Sequence, residues 1–207
     1  MKRERSAADF LPQKRSLKQL REAAADCRGC DLYKNATQTV FGEGAARARI
    51  MLIGEQPGDR EDTEGHPFVG PAGKLLHKAM AEAGIDPAGV YVTNAVKHFK
   101  FIVRGKRRIH QKPRVIEINA CRPWLQAEIK QVRPDVIVAL GATAAQTLFG
   151  SSFRLSMQRG TIITSSQWAP KVIATVHPSS ILRAPDDEAR HREMASFIRD
   201  LKRAAEA

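Results

Sequence analysis

Four short apolar runs, each followed by a polar turn, constrain the fold of this 207-residue chain more than any other feature. Arg49 to Gly54, Val90 to Asn94, Asp135 to Leu140 and Val172 to Val176 are rich in Val and Ile and short for helices, so they read as strands. Their apolar residues run nearly unbroken, which is the pattern of strands buried on both faces. Helical spacing lies between them. Pro71 stands at a first helical position ahead of Ala72 to Met80, and Gly84 closes that helix. Further helices are predicted over Leu17 to Ala25, Val115 to Val132 and Ala142 to Leu148, with a charged last helix from about Asp187 and a possible strand near Ile162. Phe99 to Lys112 reads as a polar, basic connection. Strands alternating with helices predict an α/β fold in which a parallel sheet is covered on both faces.

In such a sheet the functional loops lie at the carboxyl ends of the strands. Four stand there: Gly54-Glu55-Gln56-Pro57-Gly58-Asp59, Asn94 through His110, Gly141-Ala142-Thr143 and His177-Pro178-Ser179-Ser180. Turns are polar for their own reasons, so no single loop identifies a site. The first lacks the Gly-x-Gly-x-x-Gly spacing that brings backbone amides to a pyrophosphate, which argues against a dinucleotide-binding oxidoreductase.

A chain of this length suits one domain over residues 1–207, with residues 1–15 read as a flexible leader. No apolar run approaches the roughly 20 residues of a membrane span, and the charged start is not followed by the apolar stretch of a signal peptide. The expectation is a cytoplasmic, nucleoid-associated monomer. Lys plus Arg number 34 against 22 Asp plus Glu, a net charge of +12. That surplus favours a polyanion, because neutralising phosphates releases condensed counterions, although it also serves solubility. Cys27, Cys30 and Cys121 make an odd count, which suits metal or redox work in a reducing compartment better than a disulfide framework.

Taken together, Gly54-Glu55-Gln56-Pro57-Gly58, Pro67-Phe68-Val69-Gly70-Pro71-Ala72-Gly73, Val92-Thr93-Asn94-Ala95-Val96-Lys97 and His177-Pro178-Ser179-Ser180 resemble the iron-sulfur uracil-DNA glycosylases of families four and five, in order and in spacing. The resemblance runs from about Cys27 to Arg183. It implies a three-layer α/β/α sandwich around a four-stranded parallel sheet, action on uracil-containing DNA, single-stranded or double-stranded, and a [4Fe-4S] cluster. Family members hold the cluster with four cysteines; here His98 replaces the third, so Cys27, Cys30, His98 and Cys121 form the implied set. Imidazole ligates iron in Rieske centres, and Cys3His equally suits zinc. A second departure is Arg104-Gly105-Lys106-Arg107-Arg108-Ile109-His110-Gln111, longer than the usual connection; its Lys-Arg-Arg-Ile-His string resembles the UdgX branch, whose members attach covalently to uracil-containing DNA. Gln56, where many relatives carry Ala, agrees with that branch.

The resemblance implies a role for each site residue. An enzyme acting on a base takes it out of the stack and reads its Watson-Crick edge while an aromatic ring stacks on its face. Phe68 and Asn94 match those roles, with backbone amides near Gln56 and Gly58 polarising the base. Breaking the glycosidic bond leaves a cationic sugar and an anionic uracil, so a carboxylate, Glu55, and a donor, His177, suit the two charges. His110 is the candidate nucleophile toward C1′. Lys106, Arg107 and Arg108 are expected on phosphates. Ser179, Ser180 and Arg183 fall in the stretch matching the intercalation loop, with Arg183 gripping the backbone. Two alternatives remain at this point: a conventional glycosylase that turns over, and a non-enzymatic zinc module whose basic loop coats phosphates.

Overall fold

The computed structural model describes residues 5–207; the first four residues of the expected leader lie outside them. After α1 (Leu17–Ala25) the chain runs β1 (Glu43–Gly44), β2 (Ile50–Gly54), α2 (Asp59–Glu64), α3 (Pro71–Glu82), β3 (Val90–Asn94), β4 (Phe101–Arg104) and β5 (Arg107–His110). It continues through α4 (Val115–Val132), β6 (Val136–Leu140), α5 (Ala142–Phe149), α6 (Leu155–Gln158), β7 (Ile162–Ile163), β8 (Lys171–Thr175), α7 (Pro178–Leu182) and α8 (Asp187–Glu206).

The main sheet has the order β1-β3-β2-β6-β8-β7. Its four central strands are parallel and correspond to the four apolar runs. Each edge adds a two-residue antiparallel strand, which enlarges the expected four-stranded sheet to six. Two residues cannot display a periodicity, so β1 left no signal in the sequence.

Alternate residues of each central strand face opposite layers. Leu52, Val138 and Ile173 pack on Leu76 and Met80 of α3 and on Phe197 and Leu201 of α8. Met51, Ile53, Ile137 and Ala139 pack on Leu125 and Ile129 of α4 and on Leu148 of α5. Burying each such Leu, Ile or Phe stabilises the fold by roughly 1.5–3 kcal/mol. The result is the three-layer α/β/α sandwich. Capping sets where the outer helices begin. Ser16 and Gln19 form a reciprocal capping box at α1, and the Asp186 carboxylate accepts from Ala189 N at 2.7 Å at α8.

A third apolar cluster lies outside the sandwich. Leu20 and Ala24 of α1, Leu32, Phe41 and Val96 close over Cys121 and Trp124 of α4. Ala7, in the single turn Ala7–Phe10, is fully buried in this cluster, so part of the stretch read as a leader is folded onto α4. The connection read as polar and basic is also ordered. β4 and β5 form an antiparallel hairpin that pairs Phe101 with His110 and Val103 with Arg108, turning at Gly105, whose φ of +57° favours glycine. Four Lys and Arg residues masked its alternation.

Candidate active site

The carboxyl ends of the parallel strands open into one cleft of about 730 Å³, and all four predicted loops reach it. Glu55 leaves the end of β2, Asn94 ends β3, Thr143 lies in the first turn of α5 after β6, and His177 follows β8. His110, the last residue of β5, stands across the cleft mouth with its Nε2 3.3 Å from Glu55 Oε1. Burial raises the Glu55 carboxyl, but hydrogen bonds from His110 and Thr143, with the nearby imidazoles, hold it on balance below its ordinary value. Glu55 is therefore a carboxylate at neutral pH, able to face a developing positive charge.

His177 is set up as a neutral donor. Burial pushes it down to about 4, against the opposing pull of Glu55. Its Nδ1 accepts from the backbone N–H of Ser179 at 3.2 Å and lies 2.8 Å from Ser179 Oγ. An uncharged ring that accepts at Nδ1 carries its proton on Nε2, which is thus available as a donor. Ser180 Oγ donates to the His177 carbonyl at 2.7 Å. The two serines shape the turn that holds His177, and Arg183 lines the cleft beyond it.

Asn94 is 3% exposed, and its Oδ1 has no hydrogen-bond partner among the described residues. A buried amide oxygen left unpaired costs free energy unless a ligand completes it, so this atom marks where a donor is missing. Phe68 closes the same corner. Its ring is buried, stacks 6.2 Å from His177 at 28°, and its backbone sits at φ +57°, an unfavourable region for a bulky residue. Glycines make room for it: a Cβ on Gly73 would lie 1.7 Å from the Phe68 carbonyl oxygen. One on Gly54 would lie 2.3 Å from Asn94 Oδ1 and 2.8 Å from the Phe68 ring.

The hairpin that carries His110 is riveted in place. Arg108 donates to Asp59 Oδ1 and Asp62 Oδ2, both at 2.6 Å, and to the Thr37 and Thr63 hydroxyls, while its guanidinium lies 5.0 Å from the Phe101 ring centroid. Of the three basic residues expected on phosphates, Arg108 thus spends its donors within the protein, whereas Lys106 and Arg107 are exposed. Gln56 clamps the base of the hairpin: its Nε2 donates to the carbonyls of Lys100 and Gln111, and its Oε1 accepts from Lys100 N. Its side-chain amide is committed there, and Gln56 lines the cleft alongside Gly58.

Several cleft residues escaped the sequence reading. Glu61 is buried, lines the cleft and accepts from Gly70 N at 2.9 Å, tying the Phe68 loop to α2; a Cβ on Gly58 would meet its Oε2 at 2.6 Å. Lys112 also lines the cleft, as do Thr143 of the predicted Gly141-Ala142-Thr143 loop and Leu182 of the stretch matching the intercalation loop. A Glu at N3 of a short helix looks like a helix-start residue, so nothing local distinguished Glu61.

On the far side of β3, Cys27, Cys30 and Cys121 gather in the third apolar cluster, close enough for each to act electrostatically on the others. Trp124 Nε1 donates to Cys27 Sγ at 3.2 Å and Lys97 N to Cys121 Sγ at 3.3 Å. Burial pushes the Cys121 thiol up to about 12 and also raises Cys30, so these sulfurs become thiolates only beside a cation. Soft sulfur donors with N–H partners fit an iron-sulfur cluster or zinc. His98 is buried, but its Nε2 meets Thr39 Oγ1 at 3.0 Å. Among the described residues no three His, Cys, Asp or Glu side chains converge on one metal position. No helix of the described residues is long and apolar enough to cross a membrane.

A family model described as the uracil DNA glycosylase superfamily matches residues 41–202. The chain is 40% identical over 172 residues to the type-4 uracil-DNA glycosylase of Thermotoga maritima, spanning 82% of this chain and 84% of that protein. It is 38% identical over 165 residues to the type-4 uracil-DNA glycosylase of Archaeoglobus fulgidus, spanning 77% and 79%. To the type-5 uracil-DNA glycosylase of Pyrobaculum aerophilum it is 27% identical over 155 residues, 67% of this chain and 64% of that one. A match that takes in every strand of the parallel sheet and all four loops of the cleft shows that the chain belongs to the uracil DNA glycosylase superfamily.

Proposed function

We propose that this protein excises uracil from DNA and that His110 then captures the exposed deoxyribose as a covalent adduct, as in the UdgX branch. The observation that carries the reading is His110 beside Glu55 at the cleft mouth, 3.3 Å apart, above the buried unpaired Oδ1 of Asn94. Uracil stacks on the Phe68 ring with its O2 edge toward His177. Asn94 Oδ1 accepts from uracil N3–H, a donor that cytosine lacks. The glycosidic bond breaks with its electron pair leaving on uracil, and His177 Nε2–H stabilises the resulting anion at O2.

Glu55 faces the oxocarbenium ion left at C1′. A neutral imidazole nitrogen of His110 donates its lone pair to C1′, forming a carbon-nitrogen bond; the proton on the other ring nitrogen is released, and the uracil anion takes up one proton from solvent. The conventional glycosylase instead lets water attack C1′. A nucleophile held at the cleft mouth by an anchored hairpin favours capture over that reading.

Cys27, Cys30 and Cys121 would hold a [4Fe-4S] cluster, with His98 turned from Thr39 to complete the set. Held by these residues, such a group would tie the amino-terminal segment, through Cys27 and Cys30, to α4, through Cys121. Lys106 and Arg107 would meet phosphates from the hairpin tip, and Arg183 from the turn after α7, on single-stranded or locally opened DNA.

The test mixes the protein with a labelled uracil-containing oligonucleotide, beside a thymine control and His110→Ala, and resolves each on a denaturing gel. A uracil-dependent band that survives heat and detergent and disappears in the variant is the expected result. Free abasic product from the native protein would establish turnover instead, and unreacted DNA throughout would sink the enzymatic reading.

A further inference from the structure

Behind the reading edge lies a charged pair with no access to solvent. Lys97 and Glu128 are both 0% exposed, and their Nζ and Oε2 lie 2.5 Å apart. Every polar atom of the pair is used. Lys97 Nζ donates also to Thr93 Oγ1 at 2.6 Å and to the Asn94 carbonyl at 2.7 Å. Glu128 Oε1 accepts from Thr93 Oγ1, Tyr91 OH and Gly42 N at 2.9–3.1 Å.

Desolvating two charges is expensive, and an apolar pair of similar volume often serves stability as well or better. A pair retained at that cost invites a reason beyond cohesion, and its contacts point to one. The turn it holds, residues 94–97, touches three parts of the site. Asn94 presents the unpaired Oδ1. Ala95 N and Val96 N donate to the carbonyls of Gly54 and Glu55 at 2.9 and 3.0 Å, fastening the turn to the strand end that carries the carboxylate. Lys97 N donates to Cys121 Sγ at 3.3 Å. The Asn94–Ala95 peptide is thus held at both ends, its N–H by the Gly54 carbonyl and its carbonyl oxygen by the Lys97 ammonium at 2.7 Å.

We infer that Lys97, through its buried pairing with Glu128, is a positioning residue that sets the Asn94 amide against the base and so determines uracil selectivity. This rests on the proposed uracil-reading role of Asn94. Removing one charge alone strands the other in the interior and threatens folding, so the informative variant removes both: Lys97→Met with Glu128→Leu. That double variant keeps apolar volume and leaves no buried charge. It leaves Gly42 N and the Tyr91 and Thr93 hydroxyls without their acceptor, so some stability is lost, and a pair that only holds the fold together would show that loss with no change in selectivity.

The experiment measures three quantities on the native protein and the double variant: the thermal midpoint, the bound metal content, and the ratio of uracil to cytosine affinity for the free bases by calorimetry. Expected are a lowered midpoint in a protein that still folds, metal content near that of the native protein, and a selectivity ratio at least tenfold lower. Native selectivity in a folded double variant overturns the inference. Thr93→Val guards against a variant that does not fold, since it removes the hydroxyl shared by both charges and leaves the pair in place; it is expected to lower selectivity severalfold, and unchanged selectivity there also overturns the inference. If the native protein itself does not prefer uracil, the functional reading fails and this inference with it; a selective native protein with unaffected variants sinks only the inference.

Discussion

The imidazole of His110 meets the carboxylate of Glu55 because the β4–β5 hairpin folds back over the carboxyl end of β2. In the proposed reaction this contact joins the carboxylate that faces the sugar cation with the imidazole that captures it. Glu55→Gln keeps the shape and removes the negative charge. It is expected to slow uracil excision by about 100-fold or more, the scale on which single electrostatic groups act in such sites. Single-turnover kinetics on a uracil oligonucleotide would check this, and an unaffected rate would remove Glu55 from the mechanism.

Arg108 anchors the hairpin through a planar fork spread over Asp59, Asp62 and two threonines. Lysine offers a point charge on a flexible stem and cannot reproduce that fork. Both Arg108→Ala and Arg108→Lys are therefore expected to lose covalent capture by about tenfold while base release persists. The ratio of adduct to abasic product, read on one denaturing gel, measures the split.

Gln56 ties the hairpin base through three hydrogen bonds to Lys100 and Gln111. Gln56→Ala removes them and leaves the Gln111 carbonyl and the Lys100 amide to seek water, while the Lys100 carbonyl keeps Gln111 N. The expected phenotype resembles that of Arg108→Ala, namely a mobile His110 and a shift from adduct toward free product. Amide hydrogen exchange should quicken over residues 99–111 and stay unchanged in the parallel sheet.

His177 makes stability depend on pH. The unfolded imidazole binds a proton near 6.5, whereas burial holds the folded one to about 4. Between those values the unfolded chain binds more protons, so stability falls as pH drops from 6.5 toward 4, by roughly 3 kcal/mol at full development. His177→Gln should flatten that part of the profile in urea unfolding. Excision by the native protein should persist below pH 6, since the neutral donor survives there.

The thiol pocket predicts a metal-dependent fold for the amino-terminal segment. Cys121→Ser is expected to lose bound metal and lower the thermal midpoint, because α1 and the turn at Ala7 pack on that cluster. Elemental analysis distinguishes iron from zinc, and a native protein free of both would remove the cofactor from the account.

Much of this protein was legible before any coordinates. The four apolar runs carry the parallel sheet, because a strand buried on both faces must be apolar throughout, and each loop at their ends does reach the cleft. The family resemblance carried by the motifs at those strand ends also implied Glu55, Asn94 and His177, which now line one cleft. The amino-acid order could not reveal which basic residues are committed internally. Arg107 and Arg108 are adjacent and alike in sequence, yet alternation across the hairpin sends one to solvent and the other into a nest of carboxylates and hydroxyls. Nor could it show that Gln56 spends its amide on the hairpin, that Glu61 lines the cleft, or that His98 meets Thr39. Chemistry and periodicity are local properties of a chain, whereas the partner of a side chain depends on where distant backbone arrives, and only the tertiary structure decides that.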